Sequence, residues 1–211
     1  MSSKQYHHGD LKASLIEAAN IMLLRDGADA LSLRAIAAEV GVAHMAPDAH
    51  FKNKKELIQS IAEAGFVHMA EIMESVALEL KAKKALSPRE LVLAYGASYL
   101  EFATSNPQLY RLMLGQVETT GRKSKKDTQA ADAKKEAVSP FIESSKKPFI
   151  LLCDAFALQG DTEERVKSQA LGAWSMVHGM AALIIEGHIQ VPEDTSFKHF
   201  LGASTPFSFK P

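Results

Sequence analysis

Leu11, Leu15, Ala18 or Ala19, and Met22 recur at the spacing of one helix face. Asp10 stands before this run as an N-cap and Gly27 after it as a C-cap. A second helix, "LRAIAAEV", opens on Ser32 and stops at Gly41. The pattern predicts a third, short helix from about Ala43 to His50. Asn53 and Glu56 have the spacing of a capping box and open a long helix through about Lys84.

Ser87-Pro88-Arg89-Glu90 is a strong helix start, with an N-cap serine, proline at the first helical position and glutamate at the third. That helix is expected to end near Ala103. Asn106-Pro107 starts another, expected to end at Gly115; Ser139-Pro140 starts the next, to near Gly160. Asp161 and Glu164 are read as opening a last long helix to about Glu186, stopped by Gly187. "SFKHFL" is a short turn or helix, and "GASTPFSFKP" reads as frayed. The polar stretch Gln116 to Val138 is a loop, a weakly helical segment, or both. Strand signals are nearly absent, so the fold is all-α: three short helices, a linking helix over about 54–84, and a larger helical domain. The boundary falls between 1–53 and 54–211. A unit of roughly fifty residues is marginal alone and leans on the linking helix.

Composition narrows the classes. Hydrophobic residues make up 46% and charged ones 23%, enough to bury a core. The formal net charge of -1 advertises no polyanion partner, so any nucleic-acid role must rest on a local patch. The one cysteine, Cys153, forms no internal disulfide and belongs to no zinc cluster. His7 and His8 with Asp10 are an incomplete ligand set, so neither a metal site nor a cofactor is expected. No signal peptide and no apolar run near eighteen residues is visible, which predicts a cytoplasmic chain with no membrane segment. No nucleophile–base pair or phosphate loop points to an enzyme.

Three short helices with a glycine turn between the second and third make a helix-turn-helix pattern. Ile36 and Ala37 face the core of that unit, Ala37 being small where another helix passes. Gly41 permits a sharp turn, and Val42 plugs the turn into the core. The next element then projects its outer face toward a DNA major groove. "LSLRAIAAEVGVAHMAPDAHFKNKKELIQSIAEAGF" resembles the DNA-binding domain of TetR-type (tetracycline-repressor-like) transcriptional regulators, through Arg34, Ile36, Ala37, Gly41, Val42, His50, Phe51, Lys54 and Leu57. "YHHGDLKASLIEAA" resembles the arm and first helix of one subgroup, and "AWSMVHGMAALIIEG" resembles that subgroup's Trp-x-x-x-His-Gly signature. The resemblance implies a homodimer with N-terminal readers of double-stranded DNA and a C-terminal domain for dimerisation and a small-molecule effector. The two recognition elements of such a dimer lie about 34–36 Å apart, to meet successive grooves.

The candidate DNA-contacting residues are Ser32, Arg34, Ala43, His44, Met45, Ala46, Asp48, His50, Lys52 and Lys54. Lys52 and Lys54 are placed to meet phosphate, aided by the following helix N-terminus; Lys55 points to solvent. His44, Met45 and Ala46 are placed at base edges. His50 lies near phosphate or packs beside Phe51, and Ser32 is a cap compatible with a phosphate contact. Tyr6, His7, His8 and Lys12 read as an arm along the DNA. Asp48 departs from the family pattern, which most often has a phosphate-contacting tyrosine there; Ala49 and Ala43 also replace more DNA-favouring groups. From Met1 to Gly65 seven lysines and arginines face eight acids. These features predict weak DNA affinity, or recognition in which Asp48 accepts from a cytosine amino group.

Tyr95, Tyr99, Phe102, Tyr110 and Met113 recur at helical spacing, as do Phe149, Phe156, Trp174, Met176 and Met180. Such stripes line a core or enclose an apolar cavity. The candidate pocket is Tyr95, Tyr99, Phe102, Tyr110, Met113, Phe149, Phe156, Trp174 and His178, for a small apolar or amphipathic effector. Trp174 and His178 share a helix face; a buried neutral His178 bonded to its helix competes with a ligand contact. The helices at about 140–158 and 162–186 carry Ala170, Gly172, Ala173, Gly179, Ala181 and Ala182 and suit a four-helix dimer interface or an intramolecular core. The function expected is a ligand-responsive repressor on a palindromic operator. The alternative is a dimeric ligand-binding or interaction protein with weakened or lost DNA binding.

Overall fold

The computed structural model describes residues 10–121 and 140–204. The arm residues Tyr6, His7 and His8, most of the polar stretch before Val138, and the tail after Ser204 lie outside them. Among the described residues every regular element is helical: α1 (Leu11–Asp26), α2 (Leu33–Val40), α3 (Lys54–Ala82), α4 (Pro88–Ser105), α5 (Pro107–Gly121), α6 (Pro140–Ala157), α7 (Glu163–Ile185) and α8 (Phe197–Ser204).

The helix starts follow from side chains that satisfy otherwise unpaired backbone N–H groups. Asp10 accepts from Ala13 N, Ser32 from Ala35 N, Asn53 from Glu56 N and Ser87 from Glu90 N. Glu56 accepts in return from Lys52 N at 2.8 Å, locking the approach to α3. The cap of α7 is Thr162 rather than Asp161: its hydroxyl accepts from Arg165 N. α5 does not stop at Gly115 but runs to Gly121; an exposed glycine weakens a helix without ending it. α3 ends at Ala82 with no glycine. Lys84 itself takes a positive φ of 54°, letting Ala85 N donate to the Leu80 carbonyl.

The third short helix is not an α-helix. Residues Ala46–Ala49 form a 3-10 helix, with His50 N donating to the Pro47 carbonyl. Pro47 is the cause. It has no N–H for the Ala43 carbonyl, and its ring crowds the preceding turn. Ala46 N takes that carbonyl instead, at 2.8 Å. Burial of the ring offsets the lost bond, since Pro47 is among the least exposed side chains of the protein.

One continuous buried cluster runs from Leu15 to Leu201. α1 and α2 pack together; α1 also rests on α3 and α5, and α3 packs against α4, α5 and α6. α3 thus belongs to both halves. α3 and α5 approach closely at Gly65, where a Cβ would stand 2.6 Å from the Met113 Sδ. α7 is long and apolar enough to cross a membrane by length and composition, yet only 22% of its most apolar window is buried within the chain.

Candidate functional site

The helix-turn-helix begins at Ser32, whose Oγ is occupied as an acceptor by Ala35 N at 3.1 Å while its proton remains available to donate. Gly41 closes α2 in the left-handed region, φ 79° and ψ 28°. Its N–H donates to the Ala38 carbonyl and Val42 N donates to the Ala37 carbonyl, the double bond pair of a glycine helix stop. Val42 then packs on the core. This geometry turns the segment after Gly41 outward.

Arg34, Ala43, His44, Met45, Asp48, Lys52 and Lys54 are exposed; Ser32, Ala46 and His50 are half-buried. Met45 is 71% exposed, a large apolar side chain left in water beside His44. His50 tilts against Phe51, with ring centroids 6.4 Å apart. Phe51 is core, and Lys12 Nζ stands 5.9 Å from its ring centroid. Asp48 is the one acid in 41–55. The charges elsewhere in the unit are partly paired with each other: Arg25 clasps Asp26 at 2.8 Å and Glu39 at 3.0 Å. Hydrogen bonds from Arg25 hold both carboxyls below their ordinary range. The seven-to-eight count therefore overstates the acid near the turn.

In the C-terminal half a nearly wholly apolar cavity of about 30 Å³ lies among α3, α4, α6, α7 and α8. Tyr95, Tyr99 and Trp174 line it; Phe102, Tyr110, Met113, Phe149, Phe156 and His178 do not. Phe102 packs on His68, Met113 fills the space at Gly65, Phe149 stacks edge-on to Trp174, and Phe156 is fully buried core. Met73, Leu93, Gly96, Leu152 and Leu201 complete walls that aromatic spacing does not point to. Gly96 is the available signal, since a glycine inside a helix marks a close approach.

Behind the cavity wall sits a polar network. His178 Nδ1 donates to the Trp174 carbonyl at 3.0 Å, because a carbonyl only accepts. In the neutral ring Nε2 is then the acceptor of the Tyr99 hydroxyl, 2.9 Å away, and the Tyr99 and Tyr110 hydroxyls bond at 3.1 Å. Burial holds the His178 imidazole below its ordinary 6.5, opposed in part by the Trp174 bond. Burial likewise raises both tyrosines. The unfolded chain takes up a proton near pH 6.5 that folded His178 refuses. The stability it contributes is therefore present above that pH and lost as pH falls below it. Urea midpoints at about pH 7.5 and about pH 5 are expected to fall less for His178→Gln than for the native chain; equal falls would remove His178 from the acid response. Cys153 is half-buried, and burial pushes its thiol up, away from the reactive thiolate. Among the described residues no three His, Cys, Asp or Glu side chains gather to hold a metal ion.

A helix-turn-helix joined by one long helix to a helical domain with an apolar cavity suits a DNA-binding regulator that carries reader and ligand domain in one polypeptide. Residues 15–61 match a family model described as "Bacterial regulatory proteins, tetR family", and residues 92–203 match "Tetracyclin repressor-like, C-terminal domain". The chain belongs to the TetR family of transcriptional regulators. Among solved structures it is similar to a protein of unknown function from Rhodococcus sp. RHA1, 26% identical, with a TM-score of 0.70 over 95% of this chain and 94% of that one. It shares its fold with the TetR family regulator PfmR from Thermus thermophilus (15% identity, TM-score 0.57, 90% and 93% covered). The multidrug binding protein EbrR, complexed with imidazole, is a further match in fold (13% identity, TM-score 0.56, 93% and 95% covered). No curated protein matches the chain in sequence.

Proposed function

We propose that the chain is a ligand-responsive transcriptional repressor, acting in the cytoplasm as a homodimer on a palindromic operator. Residues 1–53 form its DNA reader and 54–211 its ligand-binding and dimerisation domain, in the subgroup with the Trp174-x-x-x-His178-Gly179 signature. The carrying observation is the outward face after Gly41. His44 and Met45 stand exposed there, and Lys52, Lys54 and Lys55 follow at the positive end of α3. These side chains suit base edges and phosphates better than they suit any interior role.

The dimer reading rests on α7. Ala170, Ala173 and Ala181 are buried within the chain, whereas Leu171, Gly172, Gly179, Ala182 and Leu183 face outward at helical spacing. Ile150 of α6 and Leu158 just past its end are also exposed. Gly179 has nothing within 4 Å of where a Cβ would stand, so no contact among the described residues accounts for its small size. A second copy of α6 and α7 laid against this stripe does. Imidazole in EbrR supports a small-molecule effector for the same fold.

Low-salt footprinting of the DNA flanking the chain's own gene tests the reading: a protected palindrome is expected, and no protected site at low salt defeats it. In the same assay Asp48→Tyr separates two forms of recognition. If Asp48 accepts from a cytosine, the variant loses discrimination at one base pair by about 1–3 kcal/mol and gains no overall affinity. A large, uniform gain would mean that Asp48 merely repels phosphate. The native chain is then the alternative, a dimeric ligand-binding protein with weakened DNA reading.

A further inference from the structure

Leu201 is the unexpected wall of the cavity. It reaches in from α8, near the end of the chain, and is 2% exposed. Position 96 of α4 is glycine, and a Cβ there would stand 2.9 Å from Leu201 Cδ1. A glycine inside a helix costs about 1 kcal/mol against alanine, and here the vacant position admits a leucine. α8 has eight residues and packs principally on α4. Beyond Leu201, it is tied there by the ion pair of Lys198 with Glu90 at 2.5 Å, both partners part-exposed. α8 is short, its apolar anchors include Leu201 and the half-buried Phe197, and its ion pair is solvated, so it is a cavity wall that opens more cheaply than the long helices.

A cleft of about 490 Å³ lies between α4 and α8, lined by Arg89, Glu90, Ser196, Lys198 and His199 among others. Leu93 lines both the cleft and the cavity, so the two are adjacent. Arg89 and Lys198 share the single carboxylate of Glu90, at 3.5 and 2.5 Å, which leaves one positive charge in excess at the mouth of an apolar chamber. The chamber itself has room for little more than a water molecule while Leu201 occupies it.

We propose that the effector is an amphipathic anion whose apolar body takes the place of Leu201 beside Tyr99 and Trp174, while its carboxylate-class head is held at Arg89 and Lys198. α8 swings aside as the body enters. Displacing Leu201 and α8 costs the same for every ligand with the same apolar body, so among such ligands the head group decides which wins. This rests on the reading of the chain as a ligand-responsive regulator and names the ligand chemistry of its cavity.

Trp174 is the single tryptophan and lines the cavity, so its fluorescence reports occupancy directly. The full chain is titrated with decanoate, decanol and decyltrimethylammonium, each below its micelle concentration. Decanoate is expected to bind about tenfold tighter than decanol, and the cation most weakly. Lys198→Glu is expected to erase the preference for decanoate over decanol, whatever the loss of the α8 tie does to both affinities. Leu201→Ala, which vacates the chamber without touching the charges, is expected to tighten decanoate and decanol alike. Equal binding of decanoate and decanol by the native chain, or a preference that survives Lys198→Glu, overturns the anionic head. No response to any probe overturns the assignment of the cavity, whereas the regulator reading fails separately, on an unprotected operator.

Discussion

Gly179→Arg is expected to turn the protein into a folded monomer with operator affinity reduced by about a thousandfold, toward non-specific binding. A Cβ at 179 has no described atom of its own chain within 4 Å, so the arginine side chain starts out into open space. Arginine is also a better helix former than glycine by about 0.8 kcal/mol, so α7 itself is not weakened. In a dimer built on the Leu171–Leu183 stripe, however, the guanidinium would be driven into a close helix contact, desolvated and without a carboxylate partner. Sedimentation velocity reads the mass, circular dichroism the helix content, and a gel shift the affinity. A variant that still sediments as a dimer would sink the α7 interface, whatever happened to DNA binding.

Phe51→Ala is expected to lower the stability of the whole protein by about 3–5 kcal/mol. For a chain of this length the melting temperature falls by about 6–20 °C. Phe51 is 1% exposed and lies between the recognition segment and the start of α3. Its loss leaves a cavity at the root of the reader and removes the ring beneath Lys12. Because the buried cluster continues from Leu15 through α3 into the C-terminal half, a single transition is expected to shift rather than a separate early one to appear. A shift under about 3 °C would mean that the site collapses around the missing ring.

The elements legible in the sequence are those announced by local chemistry. Asp10, Ser32, Asn53 and Ser87 each cap the helix they precede, because a short oxygen-bearing side chain meets the same orphan N–H wherever it stands. Two signals mislead for equally local reasons. Asp161 and Thr162 are both good caps side by side, and only the turn of the chain decides between them. Pro47 looks tolerable near the start of a short α-helix, while its buried ring and missing donor tighten the segment to a 3-10 helix. The cavity is the least legible part. Aromatic spacing says that a helix face is apolar, not whether it meets another helix or a void, so Phe156 and Met113 go to core while Tyr95, Tyr99 and Trp174 reach the chamber. Leu201 comes from the far end of the sequence, and no periodicity links it to Gly96.

α3 can be treated as a beam resting on a fulcrum. Its close contact with α5 is at Gly65, eight positions from Met73 on the cavity wall and eleven from Lys54 at the reader. At the rise of an α-helix the two arms are about 12 Å and about 16 Å. A push on Met73 is then returned at Lys54 in the opposite direction and about 1.4 times as large. Two such beams in a symmetric dimer would displace their tips in opposite senses, so a displacement of about 2 Å at each chamber changes the separation of the tips by up to about 6 Å. That is a substantial fraction of a groove width.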